Sequence, residues 1–125
     1  MPFVAANPGR YVGAAAGNGH CVALVRAAAG APHTASWRRG DRVNGAHLVH
    51  GTAIATFDAD GRYENDTNGR SHAAIYVAEA DDGIWVLDQW LEHPASERLI
   101  QYRGGRGKAV DDADAYYVIE IKGDA

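Results

Sequence analysis

Gly17-Asn18-Gly19-His20-Cys21-Val22-Ala23-Leu24-Val25-Arg26 is the stretch on which the reading of the chain turns, and it holds the only cysteine in 125 residues. A glycine-rich lead-in is followed at once by an apolar helical pattern. That pattern predicts a helix from about Asn18 or His20 to Ala29, with Asn18 as N-cap and Gly30 and Pro32 as the stop. Val22, Val25 and Ala29 form one stripe with Leu24 and Ala28 beside it, and this is the face expected to be buried. Cys21 lies one turn before Leu24 and Val25, so it borders the core. A thiol in the first turn of a helix also sits among unpaired backbone N–H groups at the positive end of the helix dipole.

The rest of the chain reads as support for that helix. Residues 1–19 are an irregular lead-in with Tyr11 and Val12 as packing points. Residues 30–51 are turn-rich, pinned by Trp37, with a short helix or strand around 43–49. Strand patterns follow at 52–57, 72–78, 84–90, 96–102 and 115–121, and Asp81-Asp82-Gly83 between two of them is a hairpin signal. One early helix followed by about five strands with hairpin-type links predicts an α+β fold with an antiparallel sheet. The length fits a single domain, 1–125, and the 46% hydrophobic share with three tryptophans suffices for a packed core.

Composition removes several classes of function. A net charge of −4 lacks the basic face of a nucleic-acid binder. No run approaches the roughly 18 apolar residues that a membrane span needs. The stretch Met1-Pro2-Phe3-Val4-Ala5-Ala6-Asn7 has neither the charged start nor the apolar centre of a Sec signal. A lone cysteine excludes an internal disulfide and a multi-cysteine zinc site. Asp58-Ala59-Asp60-Gly61 has the acidic character of a calcium loop, but its glycine comes too early and Gly69 stands where the bidentate Glu belongs. His47 and His50 would share a helical face as metal ligands, but no third ligand is near. No metal and no cofactor is expected.

A useful thiol needs a partner. The dipole supplies at most about 2 kcal/mol, or roughly 1.5 pKa units, which brings a thiol from about 8.5 only to about 7. An imidazolium must do the rest. His20 adjoins the cysteine, but consecutive helical residues point about 100° apart. His72 opens a strand of otherwise core character, after the polar Asn68-Gly69-Arg70-Ser71. Asp88 is a carboxylate inside the apolar Trp85-Val86-Leu87-Asp88-Gln89-Trp90, where an unpaired charge would be costly. Side-chain parity decides whether it meets His72. A five-residue loop, Glu79–Gly83, sets Ala74 opposite Asp88 and puts Asp88 on the face of His72; a two-residue turn at Asp81-Asp82 puts Gln89 there instead.

With these pieces in hand the chain resembles the papain-like cysteine amidohydrolases of bacterial cell walls, the NlpC-type and CHAP-type families. Gly19-His20-Cys21-Val22-Ala23-Leu24-Val25, Ser71-His72-Ala73-Ala74-Ile75-Tyr76-Val77 and Val86-Leu87-Asp88-Gln89-Trp90 match in order, and Gly51-Thr52-Ala53-Ile54-Ala55-Thr56-Phe57 looks like the first strand of that sheet. It also looks like the amidase effectors of type VI secretion systems, which generally lack a Sec signal. The resemblance implies a papain-like fold and hydrolysis of an amide bond in peptidoglycan peptide stems or cross-links. It further implies synthesis in the cytoplasm, action in the periplasm of a target cell and a cognate immunity protein as partner. Cys21 would be the nucleophile, His72 the acid and base, and Asp88 the orienting group. The Cys21 backbone N–H would be one oxyanion donor, with Tyr11 or Asn18 as candidates for the second and Gln89 as the auxiliary alternative to Asp88. His20 departs from the small or acidic residue common before the cysteine. Two other readings stay open: a different acyl-transfer toxin of deamidase or transglutaminase type, and a non-catalytic binding or immunity module whose cysteine is merely buried.

Overall fold

The computed structural model describes residues 2–66 and 68–121. Helix α1 spans Cys21–Ala29. The strands are β1 Trp37–Arg42, β2 Ala53–Thr56, β3 Ala73–Ala80, β4 Gly83–Trp90, β5 His93–Gln101 and β6 Tyr116–Ile121. They form one antiparallel sheet in the order β1-β6-β2-β3-β4-β5. The fold is α+β with one α-helix and six strands among the described residues, one strand more than the sequence suggested.

Both faces of the sheet are covered. Helix α1 lies across β3 and β4, burying Leu24 and Val25 against Ala53, Ala55, Ala73, Ile75 and Leu87. Alanines dominate the strand side of this contact, and their short side chains let the helix sit close to the sheet. On the opposite face Ile54, Ala74, Tyr76, Val86 and Ile100 pack with Val43, Ala113 and Tyr116. The helix ends as expected, at Gly30 in the left-handed conformation (φ 73°), whose N–H donates to Arg26 O.

Three local expectations are corrected. The N-cap is His20, not Asn18; the Asn18 side chain instead accepts from the His20 N–H at 3.1 Å. Val12 is about half exposed and is no packing point, whereas Tyr11 packs against the helix side of the core. Residues 43–49 form turns and irregular chain, not a helix or strand. The added strand, β1, was hidden by its polarity. In Trp37-Arg38-Arg39-Gly40-Asp41-Arg42 only Trp37 is buried, because β1 is a sheet edge whose charged residues face water. Gly40 is required there: a Cβ would meet Val118 O at 2.7 Å, next to the register shift between Arg39 and Arg42.

The β3–β4 hairpin decides the site. It turns through Asp81 and Asp82, with Ala80 paired to Gly83, Glu79 to Ile84 and Ala78 to Trp85. Beyond that the pairing is Tyr76 with Val86 and Ile75 with Leu87, so Val77 is an extra residue, a β-bulge. The ring of His50 bonds the Val77 carbonyl at 3.1 Å, which takes up the acceptor that the bulge displaces from the ladder. The chain thus makes the two-residue turn, yet the inner half of the hairpin runs in the register of the five-residue loop. Continued by one residue, that register sets Ala74 opposite Asp88.

Candidate active site

Cys21, at the first position of α1, and His72, immediately before β3, line one cavity of about 470 Å³ together with Asn18, His20, Tyr63 and Trp90. The backbone of His72 is tied to β2 in both directions: its N–H donates to Thr56 Oγ1 at 3.0 Å, and its carbonyl accepts from Thr56 N at 3.0 Å. Its ring is buried and Nε2 lies 2.8 Å from Asp88 Oδ2. Cys21 faces the same cavity and interacts electrostatically with the His72 ring. With Nε2 committed to Asp88, Nδ1 is the nitrogen left for the sulfur. Asp88 is fully buried on β4, and the same Oδ2 accepts from Arg98 Nε at 2.7 Å.

The electrostatics follow from these contacts. Burial pushes the Cys21 thiol up, but bonding and attraction to His72, with smaller help from the Ala73 N–H and Tyr63, bring it below its ordinary value. Burial disfavours a charged His72, yet its bonds to Asp88 and Cys21 outweigh that and push it up to about 9. Tyr63 is pushed far above the usual phenol range, by burial first and then by Cys21. It therefore keeps its proton and can donate to Cys21 Sγ, 3.7 Å away.

Tyr63 was not singled out in the sequence. It lies in the irregular chain between β2 and β3, and its one local signal is an aromatic in an otherwise polar loop. Its ring packs on Trp37 with centroids 5.0 Å apart, and Trp37 is itself held by a bond from Nε1 to Pro32 O at 2.9 Å. Trp90 forms another wall of the cavity. It is stacked on His93 (3.9 Å between centroids), approached by the Arg98 guanidinium (5.3 Å) and set edge-on to His72. A second cavity of about 310 Å³ opens beyond His72 and Trp90, lined also by Arg98, Val110 and Asp111.

The remaining sequence candidates are placed elsewhere or differently. Tyr11 lies outside the cavity lining and donates to Ala27 O at 3.3 Å, near the far end of α1. Asn18 does line the cavity, with its Oδ1 engaged by His20 N. Gln89 does not orient His72: it faces the lead-in chain, as its position next to Asp88 on a strand requires. Its Oε1 accepts from Ala16 N at 2.8 Å, and its Nε2 donates to Ala16 O at 2.9 Å and to His20 O at 2.8 Å. It clamps the segment that delivers Cys21. Gln89→Leu is expected to lower stability by about 2–4 kcal/mol, since several sheltered backbone groups lose their partners. Urea unfolding measures this, and a loss under about 0.5 kcal/mol would contradict it.

The metal readings find no support in the geometry. Asp58 Oδ1 accepts from Asp60 N and Arg62 N, closing a turn of its own. His47 lies 3.6 Å from Glu79 while His50 is turned to Val77. Among the described residues no three His, Cys, Asp or Glu side chains are grouped to hold a metal ion. No helix among them is long and apolar enough to cross a membrane.

The site sets a helix-borne cysteine beside a histidine at the entry to β3 and a carboxylate on β4, in an α+β frame. The model of one family, domesticated amidase effector 2, matches residues 3–119, and the chain belongs to that family. It is 42% identical to the domesticated amidase effector 2 of Ixodes scapularis over 106 residues, which cover 81% of this chain and 70% of that one. It is 32% identical to the type VI secretion amidase effector 2 protein of Salmonella typhi, covering 96% of this chain and all of the relative. A solved structure of type 6 secretion amidase effector 2 superposes with a TM-score of 0.81 at 30% identity, over 96% of this chain and 95% of the other.

Proposed function

We propose that this protein is a cysteine amidase that hydrolyses an amide bond in the peptide portion of peptidoglycan. In this reading it is an antibacterial effector that acts in the periplasm of a target cell and is restrained by an immunity protein. The names of its relatives supply the amidase and effector parts of the proposal. The observation that carries the chemistry is His72, bonded to Asp88 through Nε2 and sharing its cavity with the Cys21 thiol. The pairing supports the papain-like reading of the site.

The Cys21 thiolate attacks the scissile carbonyl carbon, forming an S–C bond. The tetrahedral oxyanion faces the Cys21 backbone N–H, at a helix start that no side chain caps, and the Tyr63 hydroxyl supplies the second donor. As the intermediate collapses, the C–N bond breaks and imidazolium passes its proton to the departing amine. His72, now neutral, takes a proton from water, which attacks the thioester and releases the acid. Asp88 keeps the imidazole in the tautomer that leaves Nδ1 toward the sulfur.

The reactive form carries thiolate and imidazolium together, which fixes the sign of the pH response. His72 holds its proton up to about 9, and the Cys21 thiol ionises below its ordinary value. Cleavage is expected to decline above about pH 9, where the leaving amine loses its proton donor. kcat/KM measured from pH 5 to 10 tests this; a rate that keeps rising through pH 9, as for an isolated thiol, would contradict it. The function itself is tested by digesting purified peptidoglycan and identifying the fragments by mass spectrometry, with Cys21→Ala as control. Release of new amino and carboxyl termini by the wild type alone supports the amidase. Intact peptides from both proteins would refute it, and deamidated or cross-linked products would shift the assignment to another acyl transfer.

A further inference from the structure

The carboxylate behind His72 is used on one side only. His72 Nε2 and Arg98 Nε both converge on Asp88 Oδ2, at 2.8 and 2.7 Å. Asp88 Oδ1 is buried with no hydrogen-bond partner among the described residues. A buried carboxylate oxygen without a partner is costly. It could be relieved by rotating the group, unless both bonds on the other oxygen hold it. The guanidinium is itself located by packing on the Trp90 ring and keeps about a quarter of its side-chain surface exposed, toward the second cavity.

We propose that Arg98 is a positioning residue for the reaction: by sharing Asp88 Oδ2 with His72 it fixes the carboxylate and limits how tightly that carboxylate holds the imidazole proton. The inference rests on the amidase reading for its purpose, but its physics does not. Two donors on one oxygen divide the same electron density. The guanidinium also places a permanent cation beside the site where the imidazolium forms, and like charges oppose each other. Without Arg98, Asp88 would pull harder on the His72 proton and the imidazolium would become a poorer acid toward the leaving amine. The other charged and titratable groups around His72 are Cys21 and His20 at the start of α1, Arg26 near its end, and His33 beyond it. Tyr63 and Asp66 come from the β2–β3 connection, Tyr116 from β6, and Asp111 from the second cavity. None of them bonds Asp88 Oδ2 among the described residues, so the effect is specific to Arg98.

The test is an NMR titration of the His72 ring through its 13Cε1 shift, assigned by the loss of that signal in His72→Gln. It compares wild type, Arg98→Met, Arg98→Gln and Arg98→Lys. Met keeps the packing on Trp90, Gln keeps a neutral donor and guards against a misfolded Met variant, and Lys keeps the charge. In both neutral variants the His72 midpoint is expected to rise by about one pH unit. In Arg98→Lys it should stay within about a third of a unit of wild type, and the alkaline limb of kcat/KM should follow the same order. An unmoved midpoint in folded neutral variants would reduce Arg98 to a packing role and overturn the proposal, as would an equal rise in the Lys variant. The titration needs no substrate, so failure of the peptidoglycan digestion and failure of this inference are read separately.

Discussion

Cys21→Ala is expected to abolish peptidoglycan cleavage, a fall of at least about 10⁴-fold in kcat, with the fold intact. The size of the effect follows from the proposed role: Cys21 is the only thiol in the chain, so no other can replace it as nucleophile. The fold is expected to survive because Cys21 lies half-buried at the border of the core and Ala is a good helix residue. The same uniqueness makes the thiol measurable on its own. Iodoacetamide adds one label per chain, and fast labelling at pH 6–7 that slows in His72→Ala would show the imidazole activating the sulfur. Labelling no faster than a free thiol and indifferent to His72, or cleavage retained by Cys21→Ala, would remove the catalytic reading.

Asp88→Ala carries the second large effect, and it divides between activity and stability. Removing the carboxylate leaves the His72 Nε2–H without its acceptor and the Arg98 guanidinium without its anion. Losing one member of a buried ion pair costs about 3–5 kcal/mol, so the melting temperature should drop steeply. Loss of the orienting bond should also lower kcat by about 10³–10⁴-fold. Asp88→Asn separates the two. Its amide oxygen can occupy the Oδ2 position, with the amino group where Oδ1 now lacks a partner. Geometry and most of the stability should survive, while the loss of charge lets His72 release its proton at lower pH. The alkaline limb of kcat/KM should then move down, opposite in sign to the shift expected on neutralising Arg98. Equal activity in Asp88→Ala and wild type would refute the role given to Asp88.

These residues also show how much the sequence made legible. Cys21 and the helix could be read because a single cysteine before an apolar stripe, with Gly30 behind it, is a local signal. Strands β2 to β6 were legible as five strand patterns, but β1 was not, because this polar edge strand carries the composition of a loop. Tyr63 escaped because nothing in its loop reports that the loop folds back over the sulfur; that placement depends on Trp37 and the helix together. The choice between Asp88 and Gln89 was posed correctly as one of parity, but the bulge that settles it leaves no mark in a string of apolar residues. Gln89 had the right neighbourhood and another task. It faces the far side of the sheet from Asp88 and holds the strand of chain leading to Cys21.

The extra residue at Val77 makes the β3–β4 hairpin two instruments tuned separately. Its outer half answers to the turn at Asp81 and Asp82, and its inner half answers to the histidine and the carboxylate. Any change of one residue in the length of that turn would ordinarily reverse every side chain along the strand, exchanging Asp88 for Gln89 beside His72. Here a single unpaired residue, braced by His50, can absorb such a change or undo it. Solvent-facing loops can therefore drift in length among descendants of this chain while the chemistry keeps its parity, provided the insertion at the tip and the kink in the ladder change together.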